Sequence, residues 1–368
     1  MKKWMVKLLV VMILVLVVTP QKNILAVEDI SSTCGILMEQ TTGRVLFDKC
    51  GDEQLYIAST TKILTAILAI ENANLDDWVE ITQEDTHQVG SSLYLSVGDQ
   101  VRLRDLLYGL MLRSGNDSAW AIARYVGDDV ANFVVLMNEK AQALGMESSS
   151  FQNPSGLDET TYNLSTAYDM ALLQRYAMNN PIFREIAGTN VYRATTQQGK
   201  NYTWRNKHRL INGRYEYTIA GKTGFTKQAR RTLVSSANNG DLELIAVTLR
   251  GGDDWHDHIR MLEYGFHNFD LRQVTDIGEL QLLEQEIFEL TGLERLFVRE
   301  ARSIVVRNDG SENVRKHLVL STDETSLAVG TLEILVNDVV VDTIAVYQFA
   351  ELSVGSWWER LLNWIVGH

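Results

Sequence analysis

Ser59 and Lys62 stand three residues apart at the head of an apolar run, Ala58-Ser59-Thr60-Thr61-Lys62-Ile63-Leu64-Thr65-Ala66-Ile67-Leu68. On a helix, positions i and i+3 share a face, so this hydroxyl and this amine meet. A hydroxyl beside an amine whose proton burial can displace is a nucleophile beside its base. Unpaired N–H groups at the helix start also favour negative charge developing there. No other serine of the chain has a lysine three residues on. The competing reading is a capped helix with a surface lysine.

Two more groups have residue types suited to the same chemistry. Ser114-Gly115-Asn116 interrupts two apolar helical patterns, and such a short loop holds a hydroxyl and a carboxamide open to a cleft. Ser-x-Asn recurs at Ser236 and Ser311, so the triplet alone says little. Lys222-Thr223-Gly224, followed by Phe225, sits in a β-type pattern where Gly224 would let a ligand backbone approach closely. Read alone, it is a strand end with a surface lysine.

The elements that must position these groups follow from periodicity and punctuation. A hairpin is expected over residues 35–49, with Gln40-Thr41-Thr42-Gly43 as its turn and Cys34 and Cys50 at its ends. The two cysteines are compatible with a disulfide or with two free thiols. Helices are expected from Ser59, over 104–112, 118–126, 131–145 and 165–178, the last capped by Ser165 or Thr166. The stretch 74–97 is mostly polar, with Gly90-Ser91-Ser92 as a loop, and Asn153-Pro154-Ser155-Gly156-Leu157-Asp158 is a turn. From about residue 190 strands take over, at 219–226, 231–237 and 242–249. An antiparallel sheet beside a helical region makes the chain α+β.

His256 and His258 suggest a metal, but no third ligand stands at metal spacing, and a solvated helix start for 259–268 is preferred. No metal or other cofactor is expected, and no glycine-rich phosphate loop occurs. Beyond about 272 come a short helix near 280–288 and then strands at 303–307, 317–320, 332–336 and 339–347, a small all-β module.

The ends of the chain bear on location. Lysines at 2, 3 and 7 precede an apolar run over 8–18, too short to cross a bilayer comfortably and suited to a signal peptide cleaved near Ala26. An uncleaved anchor is the alternative; either way the body of the protein is exported. Losing residues 1–26 takes the net charge from −13 to −17, which argues against nucleic acid as a partner. In the last residues, Trp357, Leu361, Trp364 and Ile365 share an apolar face that suits either a lipid interface or docking on the β module.

Taken together, Ser59-x-x-Lys62, Ser114-Gly115-Asn116 and Lys222-Thr223-Gly224 match, in order and placement, the active-site set of penicillin-binding proteins and serine β-lactamases. The chain resembles the D-alanyl-D-alanine carboxypeptidase family of low-molecular-mass penicillin-binding proteins. Gly115 within Ser-Gly-Asn is that family's form, and the similarity extends through Gly90-Ser91-Ser92 and Asn153-Pro154-x-Gly156-Leu157-Asp158 over roughly residues 30–270. The resemblance implies a β-lactamase/transpeptidase-like catalytic domain over 27–271, an antiparallel sheet flanked by helices. A small β-rich domain over 272–350 and an amphipathic tail over 351–368 would follow.

The resemblance also implies roles. Ser59 would be the nucleophile towards a peptidoglycan pentapeptide, Lys62 its base, and Ser114 a proton relay. Asn116, Lys222, Thr223, Gly224 and Phe225 would bind substrate, with the N–H groups of Ser59 and Phe225 around the oxyanion. Penicillins would acylate Ser59. Departures are Ser155 and Phe225, where members often have His, and no clear counterpart in 254–258 of a basic residue that some members carry. Two rival readings are a serine β-lactamase, which Glu159-x-x-x-Asn163 echoes in spacing, and a non-catalytic peptidoglycan-binding protein with a decayed site. Glu159 is read as a loop charge.

Overall fold

The computed structural model describes residues 29–280, 296–321 and 327–348. The expected signal segment, most of the helix near 280–288 and the C-terminal amphipathic face lie outside the described residues. No helix among the described residues is long and apolar enough to cross a membrane.

A five-stranded antiparallel sheet organises the larger part of the chain. Its order is Val45–Lys49, Cys34–Glu39, Glu243–Gly251, Arg230–Asn238 and Thr218–Thr226. The first hairpin is therefore sewn onto the last three strands, Ile36 standing opposite Val247. The expected hairpin is present, and a disulfide joins Cys34 to Cys50 with their Cα atoms 5.1 Å apart.

One face of this sheet packs on the helical region. Ile36, Val234, Ile245 and Val247 meet Ile63, Ile67, Leu106, Leu110 and Ile122 in one buried core. Its helices are Lys62–Asn72, Leu103–Arg113, Asn116–Gly127, Val130–Ala143, Ala167–Met178 and Pro181–Gly188. Thr166 caps the fifth of these, its side chain accepting from the Asp169 N–H.

The other face is covered by a single helix, Asp254–Asn268, through Met261, Leu262 and Tyr264. This helix starts five residues earlier than expected, and its start is not solvated throughout. His258 is fully buried, bonded to Ser235 Oγ at 2.9 Å and Thr248 Oγ1 at 3.0 Å. The two histidines diverge: His256 is exposed and pairs with Asp253. Among the described residues they form no metal cluster.

The chain passes without a linker from that helix into the strand Phe269–Thr275, which pairs with Arg302–Arg307. A second five-stranded sheet follows, built on Val314–Leu320, Gly330–Val336 and Val339–Gln348, with its own apolar core around Val298, Leu332, Ile334 and Val346. Arg44, in the turn of the first hairpin, binds across to this module. It donates to the Glu312 carboxylate and to the Val305 carbonyl.

Candidate active site

The nucleophile's local structure is tighter than the α-helix start that the sequence suggests. Residues Ala58–Thr61 form a 3-10 turn, and the α-helix begins at Lys62 itself. A 3-10 turn still places i and i+3 on one side, and Lys62 Nζ lies 3.1 Å from Ser59 Oγ. Two neighbours clamp this turn. Thr232 Oγ1, on the central sheet, donates to the Ile57 carbonyl at 3.0 Å. From the opposite side comes Gly156, whose φ of +79° and closeness to the Ala58 carbonyl exclude any side chain; a Cβ there would sit 1.8 Å from that oxygen.

Lys62 is fully buried, and its amine has three partners. Besides Ser59 Oγ, they are Asn116 Oδ1 at 2.8 Å and the Ser155 carbonyl at 2.5 Å. The last two are acceptors only, so a neutral amine gives them its two hydrogens and turns its lone pair to the Ser59 hydroxyl. Burial, with help from the charge of Lys207, lowers the Lys62 pKa to about 7, against a smaller opposing pull from Asp117. The surface-lysine reading of Ser-x-x-Lys is therefore excluded.

Ser114 caps the helix Leu103–Arg113 in the left-handed region, with φ +65°. A serine pays about 1–2 kcal/mol for that conformation. Its Oγ is buried and has no hydrogen-bond partner among the described residues. Asn116 does not lie on the loop, as the sequence suggested, but is the first residue of the next helix. It is committed on both sides, since its Nδ2 donates to the Val89 carbonyl at 2.6 Å while its Oδ1 holds Lys62. Asn116 thus orients the base.

Lys222, Thr223, Gly224 and Phe225 lie on the edge strand Thr218–Thr226. Lys222 is 1 % exposed, so its surface reading fails too. Burial first, then the charges of Lys62 and Lys207, hold its pKa well below the usual lysine value. Gly224 does allow a close approach, but by the chain itself. A Cβ there would stand 2.3 Å from Thr232 Oγ1 and 2.9 Å from the Ser59 nitrogen. Phe225 is largely exposed, as suits a residue offering only its backbone.

Sequence reasoning missed Lys207. It approaches both Lys62 and Lys222 closely enough to depress each, and its own pKa is lowered by burial and by Arg113. Its Nζ donates to Ser91 Oγ at 3.0 Å, and its backbone N–H to the Leu112 carbonyl. The irregular stretch around it, just after the strand Asn201–Arg205, gives no periodic signal. Ser155 was noted only as a departure; its carbonyl, a group every residue has, is what the site uses.

A buried amine with its pKa lowered to about 7 against a half-exposed hydroxyl, with the amines of Lys207 and Lys222 close by and no carboxylate hydrogen-bonded to it among the described residues, defines a serine acyl-transfer hydrolase. A family model for D-alanyl-D-alanine carboxypeptidases matches residues 19–252, and the chain belongs to this family.

Similar proteins include the D-alanyl-D-alanine carboxypeptidase DacF of Bacillus subtilis, 31% identical over 64% of this chain and 62% of the relative. The D-alanyl-D-alanine carboxypeptidase DacC of Escherichia coli is 28% identical over 90% of this chain and 86% of its own length. Among solved structures, a D-alanyl-D-alanine carboxypeptidase of Mycobacterium tuberculosis superposes with a TM-score of 0.63 at 30% identity, covering 66% of this chain and 94% of that one. The DD-transpeptidase of Streptomyces K15 gives 0.61 at 33% identity, covering 65% and 98%.

Proposed function

We propose that this protein removes the terminal D-Ala from peptidoglycan pentapeptide stems through an acyl-enzyme on Ser59. The observation that carries this reading is the three-way coordination of Lys62, which leaves the amine's lone pair facing Ser59 Oγ. Ser59 attacks the carbonyl of the penultimate D-Ala as Lys62 takes its proton. The oxyanion rests between the N–H groups of Ser59 and Phe225. Ser114, whose hydroxyl is engaged by nothing else among the described residues, passes a proton to the departing amine. Lys222 and Thr223 hold the terminal carboxylate, which restricts the reaction to chain ends. Water then releases the shortened stem. Penicillins react at the same serine because their strained amide occupies the place of the scissile bond.

An exported location, at the outer face of the cytoplasmic membrane, suits this substrate. The basic and apolar N-terminal run and the Cys34–Cys50 disulfide both support it. The C-terminal tryptophans suit a lipid interface.

The β-lactamase reading loses its main support. Glu159 is exposed and has no hydrogen bond towards Ser59, while Asn163 is occupied in tying Thr61 to Asn153. Mass spectrometry after penicillin and after pentapeptide tests the proposal. A long-lived adduct on Ser59 together with D-Ala release is expected, and Ser59→Ala abolishes both. Rapid drug turnover, or undiminished release by Ser59→Ala, overturns it.

A further inference from the structure

A row of cations runs along the outer face of the hairpin formed by Val191–Thr195 and Asn201–Arg205. The hairpin's inner face is aromatic and fixed. Tyr192 stacks on Tyr108 with ring centroids 3.6 Å apart, and Trp204 and Tyr202 continue the layer. Strand alternation therefore turns Arg193 and Arg205 outward, and both are exposed. Arg193 stands opposite Thr203, so Arg205 is its diagonal neighbour, about 7–8 Å away on the same face. The alternation continues past the strand, where Asn206 and His208 are buried and separate Arg205, Lys207 and Arg209. Each of these cations starts at most about 7 Å along the chain from the one before. Arg193, Arg205 and Arg209 have no hydrogen bond or ion pair among the described residues. Asp105 and Glu185, behind the aromatic layer, already accept from the Tyr192 and Tyr108 hydroxyls at 2.6 Å. Residues 193–231 hold ten Lys and Arg and one acid, Glu216, a net of +9 in a chain of net −13, so the remainder carries −22.

We propose that this row binds a linear phosphodiester polymer, laid lengthwise along the hairpin. Three of its four cations are arginines, whose planar forks match phosphate oxygens two at a time. Their even steps suit an anion that repeats along a chain, as a phosphodiester with a short spacer does. A flat lipid surface calls for cations spread over an area, whereas these lie in one line no wider than a hairpin. The acidic remainder of the protein does not cancel the attraction, because exposed charges more than about 8 Å apart are largely screened at physiological ionic strength. Lys207 ties the row to the catalytic region, since its Nζ donates to Ser91 Oγ at 3.0 Å and the Ser91 carbonyl accepts from the Asn116 N–H at 2.7 Å. The polymer is thus held beside the reacting groups without entering them. Each phosphate contacted releases a counterion, so four contacts give a slope of about −3 for log affinity against log salt. The inference is independent of the carboxypeptidase reading, as no stem peptide takes part in it.

The test measures binding of the exported chain to fluorescently labelled poly(glycerol phosphate) of defined length. The Kd is expected to rise about fiftyfold between about 50 and 200 mM salt. In the triple variant Arg193→Gln, Arg205→Gln, Arg209→Gln only one contact remains, so the rise over the same interval falls to about threefold. Its Tm is expected to match that of the unaltered protein, because all three side chains are exposed and unpaired. Replacing the same three by Lys keeps the steep salt dependence, which a merely structural role would not predict. Absence of binding at about 50 mM salt overturns the proposal, as does an unchanged salt slope in the Gln variant. Equal affinity for poly-L-glutamate of matched charge overturns the phosphodiester assignment. Tighter binding to phosphatidylglycerol vesicles that is lost in the Gln variant overturns the polymer in favour of a membrane. D-Ala release enters none of these arms, so failure here leaves the carboxypeptidase reading untouched.

Discussion

The Ser155 carbonyl accepts from Lys62 Nζ at 2.5 Å, across 93 residues of chain. Together with Asn116 Oδ1 it uses both hydrogens of a neutral amine, so the protonation state of Lys62 decides whether the serine has a base.

The activity should therefore follow one deprotonation near neutrality. As Lys62 loses its proton at a pKa of about 7, kcat/KM and the rate of penicillin acylation rise with pH through that value and then level off. Lys62→Arg keeps a cation but cannot act as base, and a loss of 10²-fold or more in acylation is expected. Stability moves the same way. Between about pH 7 and 10.5 the unfolded chain holds the Lys62 proton and the folded chain does not, so this residue's contribution to stability rises with pH across that window. Stopped-flow acylation and thermal melts over pH 5–9 check both.

Lys207 tunes that pKa by its charge. Lys207→Gln removes a positive neighbour from Lys62, so Lys62 holds its proton more tightly and the rising limb of the pH–rate profile moves to higher pH. A fall in rate at every pH with an unmoved limb would show instead that Lys207 acts only through Ser91.

Ser114 combines a left-handed backbone with a buried, unpartnered hydroxyl. Each is costly to the fold, at about 1–2 kcal/mol for the backbone and about 1–3 for the hydroxyl. Ser114→Gly relieves both and loses some entropy, so a net stabilisation of about 1 kcal/mol is expected, with kcat reduced by 10²-fold or more. Denaturant melts and D-Ala release, measured on one preparation, give both numbers.

Four of the site's groups were legible because their side chains are chemically distinctive: the hydroxyls of Ser59 and Ser114 and the amines of Lys62 and Lys222. What escaped was the contribution of groups that carry no such signature. The Ser155 carbonyl and the Val89 carbonyl are backbone, and any residue type supplies them. Lys207 was hidden because it sits in a turn between a hairpin and the edge strand, where neither helical nor strand periodicity applies. The fold followed from the hairpin, the helices and the last three strands of the central sheet. The strand Phe269–Thr275 did not, since it continues a helix without any punctuating residue. His258 looked solvated only because its neighbours are charged; its own position on the helix faces the sheet.

Gly224 sets the spacing between the edge strand and the nucleophile's turn. A methyl group there meets Thr232 Oγ1 and the Ser59 nitrogen, so Gly224→Ala must push the two walls apart. Overpacking of this kind costs about 1–3 kcal/mol, while a 1 Å displacement of a nucleophile costs about 10² in rate. The expected result is a folded protein with a modestly lowered Tm and acylation slowed about a hundredfold. Full activity would show that the turn can move freely.

The β module is joined to the catalytic part by a helix that runs straight into a strand, by Arg44 gripping Glu312 and the Val305 carbonyl, and by Arg307 and Asn308 donating back to Tyr264 and His267. A mount of this kind replaces the broad cloud of positions explored by a flexible tether with a narrow shell. Whatever binds the β module is thereby held at one distance and orientation from Ser59, which raises the effective concentration of groups within that reach and excludes those beyond it.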